Sequence, residues 1–72
     1  MSLPVIIHIK LNGEDRRLPP GMNVREVLEY LDLETTRVAV EVNRRIIRRK
    51  EWIEIEVRDR DTLEVVHFVG GG

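Results

Sequence analysis

The stretch Thr62-Leu63-Glu64-Val65-Val66-His67-Phe68 decides the fold. Leu63 and Val65 alternate with Thr62 and Glu64 as in a strand with one buried face, while Val66 and Phe68 make the other face partly apolar too. So much apolar sequence does not suit an edge, so residues 62–68 are expected inside a sheet, beside the first strand. That first strand is Val5-Ile6-Ile7-His8-Ile9-Lys10-Leu11, apolar at every odd position. Asn12-Gly13 follows, a strong hairpin signal because both residues tolerate positive φ. Residues 14–18 read as the returning strand, which Pro19-Pro20-Gly21 ends because proline donates nothing to a ladder.

The middle of the chain supplies one helix and a second hairpin. Asn23 suits a helix N-cap, with Glu26 three residues on as in a capping box. Val24, Val27, Leu28 and Leu31 then form one apolar stripe. Such a short helix draws its stability from packing rather than from propensity. Val38-Ala39-Val40-Glu41-Val42 alternates as a strand, Asn43-Arg44 turns, and a short return strand is expected around Ile46-Ile47. Arg44 is awkward as the second residue of a type I′ turn, so a loop longer than two residues is expected there. Residues 48–56 have no single period: Trp52 anchors a short helical turn or loop, while Ile53, Ile55 and Val57 fit a brief strand. Asp59-Arg60-Asp61 reads as the last turn. The order β-β-α-β-β-loop-β must pack one helix on one sheet, since each has a single strongly apolar side. The expected class is α+β, the ubiquitin-like β-grasp, with one helix on a mixed sheet of four to five strands and a single domain over residues 1–72.

Composition removes several functions. Twelve Lys and Arg against thirteen Asp and Glu leave a net charge of −1, which does not suit a surface devoted to nucleic acid or anionic lipid. The chain has no cysteine, hence no disulfide, thiolate metal site or thiol nucleophile, and a reducing compartment is the default. Its apolar runs are too short to span a bilayer, and no signal-like segment opens it, so a cytoplasmic location without membrane attachment is expected. His8 and His67 are the only histidines, too few and too far apart for a metal site. Ser2 is the only serine, which disposes of a serine triad. Arg44, Arg45, Arg48, Arg49 and Lys50 form the one charge run. Its default reading is a solvated hairpin, its alternative a contact with an acidic partner or RNA, although no recognition motif for nucleic acid accompanies it.

Chemistry is sought instead at the end of the sequence, Val69-Gly70-Gly71-Gly72, which holds three of the five glycines. Glycine loses the most backbone freedom on ordering, so residues 69–72 are expected to form a flexible tail, the glycines spanning about 10 Å if stretched. Without Cβ atoms they fit a cleft that a side chain would block, and they present a free carboxylate. A frayed terminus is the plain alternative. Phe68, immediately before the tail, reads either as a docking anchor or as ordinary packing at the sheet end. Val66 and Ile6 are the residues expected to widen such an anchor into a partner-binding patch.

Three internal stretches accompany the tail Val65-Val66-His67-Phe68-Val69-Gly70-Gly71-Gly72: Leu11-Asn12-Gly13-Glu14, Val38-Ala39-Val40-Glu41-Val42-Asn43 and Glu51-Trp52. Together they resemble the ubiquitin-like sulfur carriers of the ThiS/MoaD family, most closely the ThiS type of thiamine biosynthesis. The resemblance runs from Ile6 to Gly72. It departs at Arg44 and Arg60, where members of the family usually carry glycine, and both departures affect turns away from the tail. The resemblance implies a protein co-substrate rather than an enzyme. Gly72 would be adenylated by a ThiF-like enzyme using ATP and Mg²⁺, then converted to a thiocarboxylate by a sulfur donor protein. Gly70 and Gly71 would thread the partners' active sites, and a ThiG-like thiazole synthase would take the sulfur. No cofactor bound to the chain itself is implied. The alternatives are a carrier for another pathway (the small subunit of molybdopterin synthase, tRNA thiolation or cysteine synthesis) and a non-covalent β-grasp interaction or RNA-binding module.

Overall fold

The first hairpin forms where Asn12 and Gly13 allow it. In a computed structural model, which describes residues 5–68, strand β1 (Ile7–Leu11) turns through Asn12 (φ 49°) and Gly13 (φ 84°) into the antiparallel strand β2 (Glu14–Leu18). Both turn residues sit in the left-handed region, as a two-residue type I′ connection requires. Helix α1 (Val24–Tyr30) follows. Asn23 caps it: its side chain accepts the Glu26 N–H at 2.8 Å, and the Glu26 carboxylate accepts the Asn23 N–H at 2.9 Å. The expected capping box is therefore closed, and two N–H groups otherwise without a helical partner are satisfied.

Strand β3 (Val38–Val42) pairs antiparallel with β4 (Arg45–Ile47). A 3-10 turn (Arg49–Glu51) leads to Trp52, and strand β5 (Thr62–His67) completes the sheet. The strand order is β2-β1-β5-β3-β4. The 62–68 stretch is central as its apolar character demanded, parallel to β1 and antiparallel to β3. One helix on a mixed five-stranded sheet is the β-grasp arrangement.

The core lies between α1 and one face of the sheet. Val24, Val27 and Leu28 of the helix are completely buried, packed in one cluster with Ile7, Ile9, Leu11, Val38, Val40, Val42, Leu63 and Val65. Each such side chain is worth about 1.5–3 kcal/mol when removed from water, which is what holds a seven-residue helix. Trp52 closes the side of the cluster, with its indole N–H donating to the Ile47 carbonyl at 3.3 Å.

Two expectations are corrected. The β3–β4 connection is not longer than two residues: Asn43 (φ 51°) and Arg44 (φ 69°) alone make it, and Val42 pairs directly with Arg45. Arg44 adopts the left-handed conformation despite its side chain, because the pairing on either side leaves the chain no slack. Ile53, Ile55 and Val57 form no strand, and a single bridge joins Asn23 to Glu56. Val57 is buried and Ile55 partly so, while Ile53 is exposed. These side chains follow the irregular path from Trp52 back beneath the helix, where the Val57 N–H finds the Met22 carbonyl rather than a ladder. Among the described residues no helix is long and apolar enough to cross a membrane.

Candidate functional site

Strand β5 carries the candidate site at its C-terminal end. Alternation sends Leu63 and Val65 into the core and leaves Glu64, Val66 and Phe68 on the face away from the helix. Val66 is 55% exposed and Phe68 60%, so Phe68 is not a core residue. Its N–H still donates to the Arg37 carbonyl at 2.8 Å, which continues the ladder one residue past β5. The backbone of Phe68 is thus anchored to β3 while its side chain is exposed, immediately ahead of residue 69. Gly70, Gly71 and Gly72 lie outside the described residues.

The last turns of β5 have neighbours on both sides although β1 stops early. Leu11 pairs with Leu63, and beyond it β1 offers no further strand residue. Asn12 takes its place. Its N–H donates to the Leu63 carbonyl at 2.8 Å, its carboxamide oxygen accepts the Val65 N–H at 2.8 Å, and its amide nitrogen donates to the Val65 carbonyl at 3.2 Å. The turn residue therefore serves as a substitute strand for the section of β5 that leads to Phe68. Asn43 does the same at the other end: it accepts the Thr62 N–H at 2.9 Å and donates to the Asp61 carboxylate at 2.9 Å. Both asparagines were legible as turn formers. Their second role was not, since the bonds join residues 53 and 19 positions apart.

The remaining candidates fall elsewhere. Ile6 is nearly half exposed, but the parallel register sets it more than about 20 Å along the strand direction from Val66. It lies at the opposite end of the sheet and does not widen the Val66–Phe68 patch, which corrects the expectation drawn from strand adjacency alone. An open groove of about 420 Å³, lined by Ile7, Pro20, Gly21, Val57 and Asp59 among others, shares that far end. His8 lies on the outer face near Asp59, and His67 lies near Glu34 at the other end of the sheet. Among the described residues no cluster of side chains suits a metal ion. The basic run divides: Arg49 stacks on the Trp52 ring at 4.7 Å and donates to the Thr35 carbonyl, while Arg44, Arg45, Arg48 and Lys50 are exposed.

On the outer face, the β3–β5 register sets Val66 opposite Ala39 and Glu64 opposite Glu41. Ile46 of β4, 69% exposed, stands opposite Glu41 on its other side. The face is thus an apolar strip ending at Phe68, with two carboxylates beside it.

Residues 9–72 match the ThiS family. The sulfur carrier protein ThiS of Bacillus subtilis is 40% identical over 65 residues, covering 89% of this chain and 98% of that protein. A thiazole synthase of Paramagnetospirillum magneticum is 39% identical over 62 residues, but the chain spans only 19% of that protein's length. The crystal structure of the thiamine biosynthesis protein ThiS from Geobacter metallireducens superposes with a TM-score of 0.80 at 29% identity, covering 92% of this chain and all of that one. The match takes in the whole central strand and continues through Gly72, and fold and sequence point the same way. The chain belongs to the ThiS family.

Proposed function

We propose that the protein carries sulfur for thiazole formation in thiamine biosynthesis, on a carboxylate at Gly72. One observation carries the reading: the ThiS family match extends to residue 72 and so takes in residues 69–72, directly after a central strand whose end is held on both sides. A carboxylate is a poor electrophile because its charge is delocalised and oxide would have to leave. Turning it into an acyl adenylate takes a nucleoside triphosphate and an enzyme that binds it, and in this reading another protein supplies that site. In this reading a ThiF-like enzyme directs a Gly72 oxygen onto the α-phosphorus of ATP, with Mg²⁺ on the phosphates and pyrophosphate leaving. A sulfur donor at the oxidation level of sulfide then attacks the acyl carbon. AMP departs with the original oxygen, and a C–S bond replaces the C–O bond.

Each part of the chain has a distinct task in that sequence. Gly70 and Gly71 have no side chain to obstruct a narrow active site, and a ThiG-like thiazole synthase is the protein that takes the sulfur. Phe68 and Val66 offer the apolar contact that orients the body against each partner. The link to thiazole synthase is supported by the likeness of this chain to about a fifth of such a protein. The chain itself acts as co-substrate, a single β-grasp body with its working end at residues 69–72. The test is ATP–pyrophosphate exchange catalysed by a ThiF-like enzyme in the presence of the chain. Exchange is expected with the full chain and lost on deleting Gly71 and Gly72. Equal exchange with the shortened chain contradicts the reading.

A further inference from the structure

The chain has three asparagines, and only Asn12 is followed by glycine. That pair carries a reactivity of its own, asparagine being a thermolabile residue. The backbone nitrogen of Gly13 can attack the Asn12 carboxamide carbon, expelling ammonia and closing a succinimide ring. A side chain on the following residue hinders the attack, as Val24 does after Asn23 and Arg44 after Asn43. Gly13 has none, and its surroundings are open: even an added Cβ would meet no atom within 4 Å. The fold holds the reaction in check, because ring closure requires the carboxamide to swing toward the Gly13 nitrogen. Both its polar atoms are committed elsewhere: the oxygen accepts the Val65 N–H at 2.8 Å and the nitrogen donates to the Val65 carbonyl at 3.2 Å. The swing breaks both bonds, so it occurs only when the end of the first hairpin parts locally from β5. Asn43 serves as a control within the same molecule. Its carboxamide is held in the same manner, on Thr62 and Asp61, at a φ of 51°. Arg44 follows at a φ of 69°, where glycine would be at ease, so the second turn keeps its clamp without the reactive pair.

From this arrangement we infer that Asn12-Gly13 is a modification site, at which the chain deamidates when the clamp on Val65 opens. The Gly13 amide gives up its proton and its nitrogen bonds to the Asn12 Cγ. The bond from Cγ to the carboxamide nitrogen breaks, and ammonia leaves with that proton. Water then adds to either carbonyl of the ring and opens it to aspartate or isoaspartate, with no change of oxidation state. Aspartate sets a carboxylate oxygen against the Val65 carbonyl, where the amide nitrogen had donated. Isoaspartate adds one carbon to the backbone of a two-residue turn whose flanking residues, Leu11 and Glu14, are paired directly. In neither product does the clamp re-form in full, and β5 loses its substitute strand shortly before Phe68. The change is one-way, so it marks chains that have opened.

The experiment is ageing of the full chain at mildly alkaline pH, in buffer and in concentrated denaturant, followed by peptide mass spectrometry that separates aspartate from isoaspartate. A peptide of residues 9–16 aged in both solvents corrects for any effect of the denaturant on the chemistry itself. Both products are expected at residue 12, forming about tenfold or more faster in denaturant, where no clamp exists. Residues 23 and 43 stay asparagine over the same period, whereas R44G, which gives Asn43 a following glycine, gains a second reactive position in denaturant. The isoaspartyl form, isolated and returned to buffer, is expected to exchange its Val65 amide hydrogen about tenfold or more faster than the parent. Equal corrected rates in buffer and denaturant overturn the inference, because the clamp then controls nothing. A residue 12 that stays asparagine in the unfolded chain overturns the site itself. An isoaspartyl form whose Val65 amide is as protected as the parent's overturns the release of β5.

Discussion

Arg44 shows how much a single backbone angle reveals. Its φ of 69° places a long, charged residue where glycine is at ease. The left-handed region costs a residue with a Cβ about 1–2 kcal/mol, and glycine's greater freedom in the unfolded chain returns only part of that. Arg44→Gly is therefore expected to stabilise the protein by about 0.5–1 kcal/mol, read as a rise of a few degrees in the thermal midpoint. Asn12 gives the opposite case. Asn12→Ala removes both carboxamide bonds to Val65 and leaves the positive φ without the residue type that tolerates it. A loss of about 1–3 kcal/mol is expected from denaturant titration, with slower hydrogen exchange lost first at the Val65 amide. At this scale the sequence was readable where chemistry is local: the Asn23–Glu26 capping box and the Asn12-Gly13 turn needed only their own few residues. It misjudged Arg44, because a turn is set by the pairing of its flanking strands as well as by its own propensities. The carboxamide clamps were hidden for a related reason, since their acceptors are distant in the chain.

Among the elements, those with a clean period or a clear turn beside them were legible, and the segment with neither was not. β1, β3 and β5 alternate, and α1 repeats its apolar positions at helical spacing, so each announces which face it buries. The connection from Arg49 to Asp61 has no such signal. Its apolar residues at 53, 55 and 57 mimic a strand, yet only Val57 reaches the core fully and the backbone bonds to the loop before α1 instead of to a strand. What organises the connection is Trp52, which is buried, hydrogen-bonded to the Ile47 carbonyl and covered by Arg49. Trp52→Ala is expected to cost about 3–5 kcal/mol, enough to leave so small a domain largely unfolded, as followed by circular dichroism. Trp52→Phe keeps most of the apolar area and loses only the indole N–H bond, so a smaller loss is expected. The edges of the sheet follow the same logic: β2 reads Glu-Asp-Arg-Arg-Leu, with four charged residues in succession on a strand whose outer edge is unpaired. Such charge discourages a second chain from adding to that edge.

Seen as a whole, the molecule has one face for stability and one for encounter. The helix-facing side of the sheet holds the buried cluster, while the outer side presents Val66, Phe68 and Ile46 around Glu41 and Glu64. Phe68→Ala touches only the second function: with 60% of the residue already exposed, it should leave the thermal midpoint nearly unchanged while slowing adenylation at limiting enzyme. A fall in stability comparable to that of a core substitution would instead make Phe68 a packing residue. The sequence disclosed this division through the alternation of β5, but placed Ile6 in the wrong neighbourhood, because adjacency of strands does not fix their stagger. The central claim is that sulfur rides on Gly72. The most direct measurement is the intact mass of the protein and of its C-terminal peptide after incubation with a ThiF-like enzyme, ATP, Mg²⁺ and a sulfide source. Exchange of one oxygen for one sulfur, located at Gly72 and discharged on adding a ThiG-like thiazole synthase with its substrates, is the result predicted. An unmodified terminus in the presence of an enzyme active on another carrier would contradict it.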